Sequence, residues 1–143
     1  MVINYFGDGC FRLQSGDTSL LVDPNNNRLK ADVVLKTLIS GDVSAVPANE
    51  VSFPGEYEIK DIQIQGWPVS KESTEKFVKT VYLVTWEDMS FVFLGHLSDG
   101  LEPEILEEFG ESDVLFAPSG GHFLSAEAAA KLAKKLEPAV VIP

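Results

Sequence analysis

Apolar residues in this chain come in short runs bounded by turn-forming residues, not in long helical stripes. Val2–Phe6, Phe11–Leu13 and Ser19–Val22 read as strands of an N-terminal meander, with a turn at Ser15-Gly16-Asp17 joining the second to the third. Val33-Val34-Leu35 reads as a buried strand. Glu58 to Gln65 alternates with period two, which predicts one strand with a buried face and a wet face. Phe77–Thr85 and Ser90–Leu94 predict a hairpin around Glu87-Asp88. Pro24–Lys30, with three consecutive Asn, is the least structured stretch.

Helical signals come late. Pro103 suits the first position of a helix, Glu104 its first turn, and Gly110 the residue after its end. Ser125 suits the N-cap of a helix over Ala126–Leu136, with Ala126, Ala129, Ala130, Ala133 and Leu136 on one face. Lys131, Lys134 and Lys135 lie toward its C-terminus, where the dipole favours cations. Asp113–Pro118 and Ala139–Ile142 read as the strands between and after these helices, and the chain stops directly after the last. The order, strands first and then helix–strand–helix–strand, predicts an α/β architecture of sheets covered by helices.

At 143 residues the chain is read as one domain, residues 1–143. A net charge of −11 repels phosphates and anionic headgroups, so nucleic acid and membrane surfaces are not expected partners. The one cysteine, Cys10, excludes an internal disulfide and reads as a small buried hydrophobe. With no signal-peptide pattern at Met1-Val2-Ile3-Asn4-Tyr5-Phe6, a cytoplasmic location is expected.

Several motifs occur in a fixed order: Tyr5-Phe6-Gly7-Asp8-Gly9-Cys10-Phe11, Leu21-Val22-Asp23-Pro24, Ala31–Thr37, Pro54–Ile59, Leu94-Gly95-His96-Leu97-Ser98-Asp99, Asp113–Gly121 and Leu136–Pro143. Together they span nearly the whole chain. The set resembles the small Zn-dependent hydrolase branch of the metallo-β-lactamase superfamily. The resemblance implies an αββα sandwich, C-terminally shortened here, with a site at one edge of the paired sheets.

Departures from the family pattern carry the functional reading. Where that pattern runs His-x-His-x-Asp-His, this chain reads Leu38-Ile39-Ser40-Gly41-Asp42-Val43, and only Asp42 survives. The first motif's Gly-His-Ser is Gly7-Asp8-Gly9. The family's further ligand histidine falls where this chain reads Val69-Ser70-Lys71, with no histidine, and Asp99 matches a bridging aspartate. Leu38 and Val43 are expected to fill the space that a metal would leave.

A zinc hydrolase needs three or four converging N, S or carboxylate ligands. Two histidines in the whole chain, His96 and His122, cannot build a histidine-rich binuclear site. No cofactor is therefore expected. The remnant-site candidates are Asp8, Asp23, Asp42, His96, Asp99 and His122. If Asp42 and Asp99 converge as the resemblance implies, they are the metal ligands of an alternative reading. That reading is a carboxylate-rich site for Mg²⁺, Mn²⁺, Ca²⁺ or Zn²⁺, acting on an ester or phosphoester. Bland roles compete: Asp23 and Asp99 suit turns, His96 suits a hydrogen-bonded anchor, and His122 a loop. The preferred reading is a catalytically inactive domain used for binding or assembly, self-association into a homo-oligomer included, with its small-molecule ligand unspecified.

Overall fold

The computed structural model describes all residues from Met1 to Pro143. Alternating apolar residues and tight turns build a first sheet from β1 (Val2–Gly7), β2 (Cys10–Ser15), β3 (Thr18–Val22), β4 (Val33–Leu35) and the short β6 (Glu50–Val51). The order is β1-β2-β3-β4-β6, antiparallel across β1-β2-β3 and parallel from β3 to β6.

A second sheet contains β7 (Gly55–Ile59), β8 (Ile62–Pro68), β9 (Phe77–Trp86), β10 (Met89–Phe93), β11 (Val114–Phe116) and β12 (Val140–Ile142), in the order β12-β11-β10-β9-β8-β7. β5 (Leu38–Ser40) pairs with the start of β9, which ties the loop after β4 to the second sheet. α1 (Pro103–Phe109) and α2 (Ala126–Leu136) are the crossovers that return the chain to make β10, β11 and β12 parallel.

Burial follows the alternation. Phe11, Leu13, Leu20, Val22, Ile64, Val84, Phe93 and Phe116 interleave between the sheets, and Phe93 stacks on Phe116 with ring centroids 4.5 Å apart. A second core joins the far face of the larger sheet to the helices through Val92, Leu115, Phe109, Leu132 and Leu136. Each fully buried aromatic or aliphatic side chain contributes ~1.5–3 kcal/mol. The layers are thus sheet, sheet, helices, the paired sheets and one of the two helical layers of an αββα sandwich. Both helices lie on the larger sheet, and no helix covers the outer face of the smaller one. Neither helix is long and apolar enough to cross a membrane.

Some local expectations are corrected. Glu58–Gln65 is not one strand: Lys60 and Asp61 take φ of 50° and 65° and turn β7 back on β8, pairing Ile59 with Ile62. Glu87-Asp88, with φ of 51° and 61°, makes the same kind of turn. Such turns usually carry Asn-Gly, so Lys-Asp gives no warning. Helix α2 has the expected N-cap, Ser125 Oγ accepting from Ala128 N at 3.1 Å. Its buried face, however, is Ala128, Ala129, Leu132, Ala133 and Leu136. Leu132 brings the largest apolar area and rotates the stripe toward itself, leaving Ala126 and Ala130 exposed. At the end of α1 the left-handed residue is Glu111, φ 60°, while Gly110 is extended.

The strained turn generates a test. Replacing Lys60-Asp61 by Asn-Gly relieves two left-handed residues and should stabilise the protein by ~1 kcal/mol. A higher urea midpoint checks this; an unchanged one would mean that side-chain contacts hold the turn.

Candidate functional site

The loops at one end of the sandwich converge. Asp8 sits in the β1–β2 turn between Gly7 and Gly9, all three at positive φ. Asp23 follows β3, Thr37 lies between β4 and β5, and Leu38 opens β5. Glu72 ends a 3₁₀ turn (Ser70–Glu72) between β8 and β9, Lys79 lies in β9, His96 follows β10, and His122 lies in the loop before α2. They border two adjoining cavities. One, of about 460 Å³, is lined by Asp8, Asp23, Lys36, Leu38, His96 and His122 among others. The other, of about 350 Å³, is lined by Leu38, Glu72, Thr74, Phe77, Lys79, His96 and His122. Leu38, His96 and His122 are common to both, so the two form lobes of one cleft.

A hydrogen-bonded chain lies under this cleft. The Thr37 backbone N donates to Asp23 Oδ1 at 2.8 Å, and its hydroxyl donates to Asp23 Oδ2 at 2.6 Å. With its proton committed, Thr37 Oγ1 is left as the acceptor for His96 Nδ1, 2.8 Å away. This network assigns the Nδ1–H tautomer and leaves Nε2 with a free lone pair. The Asp23 side chain is only 8% exposed. Burial pushes its carboxyl up to about 6, against the opposing pull of the two Thr37 bonds and of Lys36. Burial, with His122 and the Lys79 charge adding to it, holds His96 down at about 4, so the imidazole is neutral at pH 7. Gly95, at φ 52°, has the Thr37 side chain where a Cβ would lie, so no other residue fits beside this network.

Glu72 forms the second tie. Its carboxylate accepts from Ser98 N at 2.9 Å, Ser98 Oγ at 2.7 Å, Asp99 N at 3.1 Å and Lys79 Nζ at 3.0 Å. Burial alone would raise its pKa, but the Ser98 and Lys79 contacts together outweigh it and the net shift is downward. Thr37 closes the Ala31–Thr37 motif without standing out as a site residue, and Glu72 and Lys79 lie outside every motif. Glu72 and Lys79 stand in Lys71-Glu72-Ser73-Thr74-Glu75-Lys76, or just after it, which reads as a solvated charge run.

The candidate residues divide. Asp8, Asp23, His96 and His122 border the cleft, where the His96 and His122 rings stack with centroids 5.9 Å apart. Asp42 and Asp99, the pair expected to converge, each make a local hydrogen bond instead. Asp42 is exposed and accepts from the Ser40 hydroxyl, while Asp99 Oδ1 caps its own turn at Gly100 N, 2.8 Å away. Asp42 follows β5, which pairs with β9, and the Asp99 backbone N is held by Glu72. Leu38 and Val43 are both half-buried, and Leu38 lines the cleft. Cys10 is fully buried, which pushes its thiol pKa up. Nowhere do three His, Cys, Asp or Glu side chains gather so as to hold a metal ion, so the residues present do not fit a zinc centre.

Two packed sheets with helices on one side and a loop-built cleft at one end define the metallo-β-lactamase class of fold. Residues 2–143 match the model of the beta-lactamase superfamily domain, and the chain belongs to that superfamily. A structure from Thermotoga maritima, described as a candidate Zn-dependent hydrolase of the metallo-beta-lactamase superfamily, superposes with a TM-score of 0.79 at 28% identity, covering 99% of this chain and 73% of that one. Igni18, a metallo hydrolase from the archaeon Ignicoccus hospitalis, gives 0.71 at 19% identity over 99% and 80% of the two chains. YhfI from Bacillus subtilis, a metallo-beta-lactamase fold protein, gives 0.65 at 12% identity over 92% and 76%. Among curated proteins no relative matches.

Two tests follow from the network. Asp23, with its pKa raised to about 6, adds stability below its ordinary value that is lost as pH rises through 6. His96, depressed to about 4 from 6.5, adds stability above 6.5 that is lost as pH falls toward 4. Between about pH 4 and 6 the two oppose each other. Asp23→Asn should make the thermal midpoint fall on acidification across that window, and His96→Asn should make it rise. Wild-type slopes in both variants would refute the assigned titrations. For the second tie, Glu72→Ala strands Lys79 and the two backbone donors and should cost ~1–3 kcal/mol. Glu72→Leu combined with Lys79→Met should recover part of that loss in urea denaturation.

Proposed function

We propose that this protein is a metal-free member of its superfamily, inactive as a zinc hydrolase and used for binding or assembly. The observation that carries the reading is the fate of segment 38–43. Leu38 presents an apolar side chain to the cleft, Ile39 is buried, and Ser40 and Asp42 satisfy each other in solvent. None of these is available as a ligand facing the cleft. The alternative, a carboxylate-rich hydrolase site, draws on relatives that are themselves described as hydrolases. It would need Asp42 and Asp99 to come together, and their separate hydrogen bonds oppose that.

A binding role is supported by the cleft, whose walls mix imidazoles, Leu38 and Phe77 with charged groups. Assembly is supported by the sheet edges: of six large apolar residues left exposed, Met1, Val2, Tyr5, Val140 and Val141 lie in or beside the edge strands β1 and β12. Unprotected edges of this kind invite pairing. The same reading places the protein in the cytoplasm, where its one thiol, Cys10, stays reduced.

Protein purified without a His-tag should contain well under one zinc per chain by elemental analysis, and EDTA should leave its thermal midpoint unchanged. One or two tightly held zinc ions, or a chelator-induced drop of many degrees, would overturn the proposal. So would zinc-dependent hydrolysis of an ester or phosphoester.

A further inference from the structure

The charges around the cleft do not cancel, and the excess lies at one end. Two ammonium groups line it, and each already has a carboxylate: Lys36 Nζ lies 3.2 Å from Glu50, and Lys79 Nζ 3.0 Å from Glu72. His96 is held neutral by its surroundings. Two carboxylates then remain without a cation, Asp8 and Asp23. Asp23 is turned inward and spends both oxygens on Thr37. Asp8 makes no ion pair, sits exposed at the rim of the cleft, and is fixed by a Gly7-Asp8-Gly9 turn in which every residue has positive φ.

The remaining acceptor is the Nε2 lone pair of His96, left free by the Thr37 network. From Asp8 the wall continues along Leu38 and the His122 ring to Phe77, and His122 is backed by Phe123 with centroids 4.1 Å apart. The whole chain carries −11, which adds attraction for a cation and repulsion for an anion at long range.

We infer that the cleft binds a small organic monocation, a primary ammonium carrying a short apolar or aromatic body. The ammonium pairs with Asp8 at the rim, and its body lies on Leu38 and the stacked imidazoles. This rests on the metal-free reading, since a divalent cation held in the cleft would repel the ammonium. Carboxylate and phosphate ligands are disfavoured because no lysine in the cleft is unpaired.

The test is an NMR titration of the isotope-labelled full chain with benzylamine, benzoate and benzyl alcohol in parallel, followed by zinc alone. Benzylamine should shift the Gly7, Gly9 and Gly95 amides and the Leu38 methyls saturably at millimolar concentration. Benzyl alcohol should act more weakly and benzoate not at all. Asp8→Asn, which keeps a residue tolerant of the left-handed conformation, should weaken benzylamine about five- to tenfold by removing one charge-assisted contact. Benzoate binding as tightly as benzylamine, an Asp8→Asn variant with unchanged affinity, or no response to benzylamine while zinc also fails to bind would each overturn the cation inference alone. Stoichiometric zinc uptake that shifts the same resonances would overturn the metal-free reading beneath it.

Discussion

Thr37 holds the site end of this molecule together. Its backbone N and hydroxyl both donate to Asp23, and its oxygen accepts from His96 Nδ1. Three chain segments from two sheets meet there: the end of β3, the β4–β5 link and the loop after β10. A carboxylate as buried as Asp23 would be costly without such donors. The close approach of Thr37 in turn dictates a glycine at position 95. Remove the threonine side chain and the carboxylate loses a donor, the histidine loses its tautomer, and the constraint on Gly95 disappears. One side chain therefore explains the identity of three others.

A metal centre in this fold would link loops by coordination bonds. Here the same segments are linked by hydrogen bonds and one ion pair. Glu72 satisfies two backbone N–H groups and a serine hydroxyl while neutralising Lys79, so that no group in the clamp is left unpaired. Partly buried pairs of this kind are worth little when complete and cost much when broken. The clamp thus fixes loop position more than it adds stability. It also holds the Asp99 backbone N, while the Asp99 carboxylate accepts from Gly100 N.

This division explains what could be read from the sequence. β1 to β4, the β9–β10 hairpin and both helices were legible because apolar period, turn residues and caps agreed there. The β7–β8 turn was not, because Lys60-Asp61 adopts left-handed conformations that its composition does not advertise. At the site, Asp23 and His96 were legible as polar residues at strand ends. Their partner was hidden, since a threonine after a buried strand looks like any other β residue. Glu72 and Lys79 belong to no motif, and only the β8–β9 connection brings them together at the cleft. Asp42 and Asp99 matched ligand positions along the chain, but the chain-wise match carries no information on side-chain direction.

The fold tolerates so altered a site because its two cores do not depend on it. Asp8, Asp23, Thr37, Leu38, His96 and His122 belong to neither the cluster between the sheets nor the cluster under the helices. Sheet pairing and aromatic packing of the Phe93–Phe116 type supply the folding free energy away from the loops. Ligand histidines can therefore be absent without opening a cavity in either core. What their absence changes is the electrostatics of the cleft. The carboxylates near the cleft are paired from within the chain, buried and hydrogen-bonded, or left facing solvent. Glu50 and Glu72 take the first course, Asp23 the second and Asp8 the third. Asp8 is thus the one cleft carboxylate that is neither paired with a cation nor hydrogen-bonded inward.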